Sequence, residues 1–330
     1  MSNIGEYLDS FRNKKILIIG DSIIDHYIYG NASGISPDAP VPLVGVYQEE
    51  HKIGAIGKVI EYILQMKADV DVFSCIGNDY EGQLIEKKMK DLNLGTKGII
   101  NLDSFTPKIT RIISREQQML RLEKKYNLNQ NLKKELNEKI IGYLEERIER
   151  SDVITILDYD LGFLNPILIT QILNLANKYK KKVIVRPEPQ KYYLYQTVDL
   201  IHINRNLAST ATNIQPMNET CLRIIGNEIL NKINANGVFI PWVEENSYLF
   251  EKDDVTIFPS LLQHKAETYW GIGNATIALS SLMGTTNASM KERIQIAHYA
   301  GSLAAIKKIE DPFRLSELKE VTKNGKIPSK

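Results

Sequence analysis

The sequence predicts an α/β protein: a mostly parallel sheet covered by helices on both faces, with a small β-sheet beside it. Short apolar runs rich in Val and Ile recur along the chain, each followed by a stretch of helical period. Continuous apolar strands alternating with helices are the pattern of a sheet buried on both sides. Two further segments alternate apolar with polar residues, and the first carries three prolines, which keep a strand at an edge. These segments predict the smaller sheet.

In chain order, "KKILIIG" (14–20) is a buried strand ending on glycine, and "VIEYILQMKA" (59–68) is helical. "VDVFSCIG" (70–77) is a strand and "EGQLIEKKMKDLN" (81–93) a helix. Leu132, Leu136, Ile140, Leu144 and Ile148 recur at steps of four, the stripe of an amphipathic helix. "VITILD" (153–158), "KVIVR" (182–186), "DLIHIN" (199–204) and "GVFIPW" (237–242) are strands with helices between them. The alternating segments, "DHYIYGNASGISPDAPVPLVGVYQEEHK" (25–52) and "PKITRIISREQQMLRLEKK" (107–125), predict a lid over about 26–50 and 107–123. With no internal repeat or splitting linker, the chain is expected to be one domain, 1–330.

Composition excludes several functions. Lys and Arg total 41 against 40 Asp and Glu, so no global field favours nucleic acid or an anionic membrane. The five histidines form no metal-like cluster, and Cys75 and Cys221 have no ligand spacing, so no metal centre of their own is expected. Both cysteines sit among apolar residues and are expected to be buried free thiols in a reducing compartment. "MSNIGEYLDSFRNKK" lacks the apolar core of a secretory signal, and no run approaches the roughly 20 apolar residues of a membrane span. The expectation is a cytoplasmic protein without nucleic-acid or membrane partners.

One stretch has the shape of a phosphate-binding turn. "YWGIGNATIALSS" (269–281) places Gly271 and Gly273 immediately before an apolar helix, and a helix N-terminus is a ready anion site. Asn274 follows, where a residue that does chemistry is expected. An amide cannot take a proton, but as a helix N-cap Asn serves as well as Asp.

With these pieces the chain resembles the ribokinase-type (PfkB) carbohydrate kinases, and within them the D-glycero-D-manno-heptose 7-phosphate kinase found as the kinase domain of ADP-heptose synthase. The resemblance spans roughly residues 14 to 310. It is carried by "GDSIIDHYIYGNASGISPDAPVPLV", against G-D-x-x-x-D-x-Y-x-x-G-x-x-x-R-I-S-P-E-A-P-V-P-V, and by "PKITRIISREQQMLRLE", against T-K-x-R-x-x-S-R-x-Q-Q-x-x-R-L-D. It implies a ribokinase-like three-layer α/β/α fold with a small β-sheet lid, ATP and magnesium as cofactors, and a dimer through the lid. No H-x-G-H occurs and a charged tail follows residue 310, so no nucleotidyltransferase domain is expected.

The resemblance assigns the sugar end of the cleft to Asp21, Asp25, Gly54 and the lid. Lys108, Arg111, Arg115 and Arg121 are cations that would hold a sugar phosphate, arginine through its planar fork. Alternating Arg and Gln also fit a merely solvated strand face. The other half departs from the family. G-G-A-A-N becomes Gly54-Ala55-Ile56-Gly57-Lys58, and D-P-K becomes Arg186-Pro187-Glu188. The magnesium-organising N-x-x-E keeps Asn204 but has Leu207 for its acid, and leucine offers no oxygen to a hard cation. The turn under the adenine, T-R-x-x-x-G, becomes 241–246, with Pro241, Trp242 and Asn246. Finally D-x-T-G-A-G-D ends on Asn274 in place of the base. Gly271 and Gly273 keep the anion hole, but these changes argue against the binding of ATP and magnesium. Three readings follow: a sugar-phosphate-binding or regulatory pseudokinase, an active ATP-dependent carbohydrate kinase, and an inactive structural subunit of a hetero-oligomer.

Overall fold

The structure is a computed structural model, and it describes residues 4–125, 138–263, 266, 271–307 and 312–327. Helix α1 (Ile4–Asp9) precedes strands β1 (Lys15–Gly20), β2 (Ser22–Ile35) and β3 (Pro42–Ala55). Then come α2 (Ile56–Gln65), β4 (Asp69–Gly77), α3 (Tyr80–Asp91), β5 (Ile99–Leu102), β6 (Lys108–Ser114) and β7 (Gln117–Lys124). The central part holds α4 (Glu138–Arg150), β8 (Val153–Leu157), α5 (Pro166–Lys178), β9 (Lys182–Arg186) and β10 (Leu200–His202). Next are α6 (Arg205–Thr212), α7 (Glu219–Ile233), β11 (Gly237–Ile240), β12 (Asn246–Glu251) and β13 (Asp254–Pro259). Helices α8 (Ile272–Gly284), α9 (Met290–Ala305) and α10 (Leu315–Asn324) follow.

Nine strands form the main sheet, in the order β13-β12-β11-β10-β9-β8-β1-β4-β5. Its pairs are parallel except β11–β12 and β12–β13. The period of two explains the layers: Ile16 and Ile18 of β1 pack with α2, α8 and α9, while Leu17 and Ile19 pack with α4, α5 and α7. The predicted strands all appear. Sequence reading missed β5, the short parallel strand at one edge, and β12 and β13, the antiparallel hairpin at the other. Of the predicted stripe from Leu132 to Ile148, Leu132 and Leu136 lie outside the described residues. Both cysteines are free; Cys75 is buried and Cys221 is half-buried at the start of α7. Among the described residues no helix is long and apolar enough to cross a membrane.

The lid segments form a separate four-stranded sheet, ordered β3-β2-β6-β7. Its root lies in the core, where Ile23, Ile24 and Ile53 are buried, and its outer part is exposed, including Ile35, Leu43, Val46 and Tyr47. The lid therefore projects from the end of β1, beside the point where the chain enters α2.

Candidate functional site beneath the lid

A cavity of about 230 Å³ lies between the inner face of the lid and the main body. The lid contributes Asp25 and Tyr27 from β2, Arg111 from β6 and Arg121 from β7. These side chains share a face because of register: Tyr27 lies opposite Arg111, and Arg111 opposite Arg121. Arg111 donates to the Asp25 carboxylate. The pair is close to buried, with side chains 10% and 9% exposed. The Arg111 guanidinium also lies 5.4 Å from the centre of the Tyr27 ring. Gly54, across the sheet from Ile23, leaves room for this arrangement: a Cβ there would come within 2.5 Å of the Asp25 carboxylate.

The body side of the cavity is formed by α2 and the start of α8. Lys58, Glu61 and Tyr62 come from α2, and Gly271 and Asn274 from α8. Lys58 donates to Glu61 at 2.8 Å. Gly271 has φ 87° and is itself the N-cap of α8. A side chain there would be strained in this left-handed backbone, and its Cβ would stand 3.2 Å from the Tyr62 hydroxyl. The first intrahelical bond runs from Ala275 N–H to the Gly271 carbonyl, so the N–H groups of Ile272, Gly273 and Asn274 are the orphan donors of the helix start. Asn274 is thus the third helical residue. The expectation that it caps α8 is corrected: its amide is left for the cavity instead. Thr268, Tyr269 and Trp270 of the same stretch lie outside the described residues.

Not every expected residue reaches this cavity. Lys108 stands three residues before Arg111, an odd spacing that turns it to the other face of the lid, where it donates to Glu81 of α3 at 2.6 Å. That contact holds the Glu81 carboxyl below its ordinary range. Arg115 is exposed at the β6–β7 turn with φ 50°. Asp21 is fully buried rather than on the cavity wall. Its Oδ2 accepts from the Tyr159 N–H at 2.9 Å, and its Oδ1 has no partner among the described residues. Burial, and then the neighbouring Asp158 carboxylate, push Asp21 up to about 7, against the pull of backbone N–H groups at Tyr159, Leu161 and Phe163.

Asp158, which sequence reading passed over, accepts from the Tyr195 hydroxyl at 2.7 Å and is itself raised by burial. Lys58, Glu61 and Tyr62 were likewise not expected at the cavity as a group. Their sequence signals are the place of Lys58 at the last position of the altered G-G-A-A-N stretch and the i, i+3 spacing of Lys58 and Glu61 on an otherwise apolar helix face.

At the opposite end the altered motifs are occupied by internal contacts. Asn204 is the N-cap of α6, its side-chain oxygen accepting from the Leu207 N–H at 2.9 Å. The Arg205 guanidinium stacks 3.8 Å from the centre of the Trp242 ring and donates to the Pro216 carbonyl. Arg186 donates to the Asp158 carbonyl at 2.6 Å and covers the Tyr159 ring. Burial, and then Asp160 and Asp158, raise the Glu188 carboxyl above its usual range. Asn246 opens β12, opposite Pro259.

Among solved structures, the chain is similar to a ribokinase homologue from Agrobacterium tumefaciens, with a TM-score of 0.75 over 95% of this chain and 98% of that one, at 15% identity. It is also similar to phosphofructokinase-2 from Escherichia coli in complex with fructose-6-phosphate, with a TM-score of 0.73 over 95% and 99%, at 16% identity. The chain has the ribokinase-type, PfkB-like fold. Its curated relatives include the bifunctional protein HldE of Campylobacter curvus (strain 525.92), 29% identical over 94% of this chain and 65% of that protein. HldE of Aliarcobacter butzleri (strain RM4018) is 29% identical over 94% and 64%. The chain spans less than two thirds of the length of these relatives. No family model matches it. The solved structures and curated relatives together support the sugar-kinase resemblance of this PfkB-like chain.

Proposed function

We propose that this protein is a heptose-kinase-like PfkB homologue, one kinase-type domain with a lid, that binds a sugar phosphate beneath the lid and no longer transfers a phosphoryl group. The observation that carries this reading is Asn274. It stands at the third position of α8, lining the same cavity as Asp25 and Arg111. The cavity keeps carboxylate acceptors for hydroxyls, a guanidinium for a phosphate and a helix N-terminus for an anion. At Asn274 it lacks a group able to take a proton from a sugar hydroxyl, a contribution typically of about 10²–10⁴ in rate.

The residues at the opposite end do not fit Mg-ATP. The Asn204 oxygen is engaged by the backbone of α6, Leu207 supplies no oxygen, and Arg205 lies against Trp242. No reaction step is therefore assigned to a nucleotide, and the protein would act as a sensor or regulatory subunit. A second copy or a related chain would join through the lid, whose exposed Ile35, Leu43, Tyr47 and Leu122 are apolar and lie on strands able to pair; the oligomeric state in solution checks this.

One observation favours an active kinase instead: Glu61 is a carboxylate on the wall of the same cavity. The deciding experiment measures ATP consumption by wild type and Asn274→Asp with heptose 7-phosphate and other sugars, alongside thermal shifts with the same compounds. Neither protein should turn over, because a base cannot act on a donor that is not held in line, while the sugar phosphate should raise the melting temperature of both. Turnover by wild type would point to Glu61 as the base and end the pseudokinase reading. Turnover by the variant alone would show a working nucleotide site.

A further inference from the structure

We infer that the protein has a second ligand site, for a small organic phosphate, at the end of α2 away from the lid. A cavity of about 280 Å³ lies there, where three segments meet. Asp9 comes from the end of α1 with Arg12 just beyond it, Lys67 from the end of α2, and Lys319 from α10. Its remaining wall is apolar, made by Leu8 and Met66, both buried, and by half-buried Leu315. No residue is shared with the cavity beneath the lid. Along α2, residues 58 and 66 are about 12 Å apart, so the two cavities are distinct.

Charge sets the class of ligand. Three cations line this cavity against one carboxylate, on a chain whose charges nearly balance. Lys319 pairs with Asp9, while the side chains of Arg12 and Lys67 have no ion-pair or hydrogen-bond partner among the described residues. Lys67 also occupies a backbone position that favours glycine. Met66 is the C-cap of α2, and Lys67 follows it with φ 65°. The Lys67 N–H donates to the Leu64 carbonyl at 2.9 Å and the Ala68 N–H to the Ile63 carbonyl at 3.4 Å. This is the bond pattern of a Schellman motif, whose left-handed residue is usually glycine. Lysine there strains the backbone and places a cation on the cavity wall. The helix dipole favours a cation at this end, but it does not account for Arg12 and Lys319 converging on the same space. A phosphate monoester carries about −1.5 to −2 charges at pH 7, which matches the net excess of the lining, and Arg12 offers it a planar fork. Leu8, Met66 and Leu315 suit a carbon body behind the phosphate. The volume, just under the roughly 300–1,000 Å³ of drug-sized sites, admits a body of about one ring.

The test is calorimetry with phenyl phosphate, inorganic phosphate and phenol. Phenyl phosphate should bind wild type about tenfold or more tightly than either of the others, because it alone meets both the cations and the apolar wall. Lys67→Gly should weaken phenyl phosphate by about ten- to a hundredfold, the range of one charge-assisted contact. Its melting temperature should equal or exceed that of wild type, since glycine relieves the left-handed backbone, so the loss cannot be laid to unfolding. Arg12→Gln, at an exposed position, is measured alongside and should weaken binding in the same way if Lys67→Gly does not fold. Asp9→Asn removes the one carboxylate and should tighten binding. Phenyl phosphate that does not bind wild type overturns the inference, as does one that binds no more tightly than inorganic phosphate. Affinity undiminished in both Lys67→Gly and Arg12→Gln overturns it too, because the compound would then lie elsewhere on the protein.

Discussion

At the lid end of the cleft, Arg111, Asp25, Lys58 and Glu61 pair with one another and still face open space. At the other end, Asn204 and Arg186 turn into the protein, onto a helix start and a backbone carbonyl, while Arg205 stacks on Trp242, donates to the Pro216 carbonyl and with Pro216 lines a separate cavity of about 450 Å³. Both ends hold polar residues near the ends of main-sheet strands, where α/β folds bind ligands. What separates them is what the polar atoms touch. Two charged side chains paired with each other on a cavity wall remain available to a ligand, whereas an atom spent on capping a helix or on a backbone carbonyl serves the fold. The contrast can be broken or sharpened by substitution, beginning with the largest expected effect.

Arg111→Ala should cost about 3–5 kcal/mol, because it leaves the Asp25 carboxylate nearly buried without its partner. It should also abolish stabilisation by sugar phosphates. Urea denaturation with and without ligand measures both, and a loss below about 1 kcal/mol would reduce the lid-end pair to a surface contact.

Asp21 gives the next effect, through pH. Folded Asp21 holds its proton up to about 7, and unfolded Asp only to about 3.9. Its contribution is therefore fully present below about pH 4 and is lost as pH rises toward 7, by up to about 4 kcal/mol. Buried His202 and His298, held down to about 3 and about 4 by desolvation, act in the opposite direction, losing stability as pH falls below about 6.5. The difference between wild type and Asp21→Asn removes the histidine contribution. That difference should move in favour of the variant between pH 4 and 7, and a flat difference would mean that Asp21 stays ionised in the folded protein.

Two smaller effects sharpen the comparison. Asn204→Ala should cost about 1 kcal/mol, as the loss of an N-cap does, and leave the response to Mg-ATP unchanged. A changed response would return Asn204 to the nucleotide site. Ala55 caps α2 with φ 51° and ψ −105°, a backbone more natural to glycine. Ala55→Gly should raise stability by about 0.5–1 kcal/mol, the relief of strain exceeding the added unfolded-state freedom, and leave ligand affinity alone.

The main sheet was legible because strands buried on both faces have no polar side to interrupt them, as in β1. β12 and β13 escaped because they form an antiparallel hairpin at the edge, outside the parallel strand–helix alternation, and β5 because its four residues are too short to show a pattern. In the lid, the cations could be counted from sequence but their direction depends on parity. Arg111 and Arg121 share a face through register, and Lys108 lies three residues from Arg111 and so on the opposite face. The place of Asn274 hinged on one torsion: with Gly271 in the left-handed region as cap, Asn274 is carried inward to the third helical position. Lys58, Glu61 and Asp158 depend on how distant segments pack, which no local pattern encodes.

The lid strands β2 and β3 run from core to solvent, their pairing shifted in register at Tyr29/Gly30 and at Ala32/Gly34. On β2, Ile23 and Ile24 are buried while residues 31–35 are largely exposed, and β3 repeats the gradient in reverse. Amide hydrogen exchange along this one ribbon should therefore pass from rates set by global unfolding at the root to rates set by local opening at the tip. Asp25, Tyr27 and Arg111 sit near the changeover, so a ligand gripping them would carry protection outward, residue by residue, along strands whose tips it never touches.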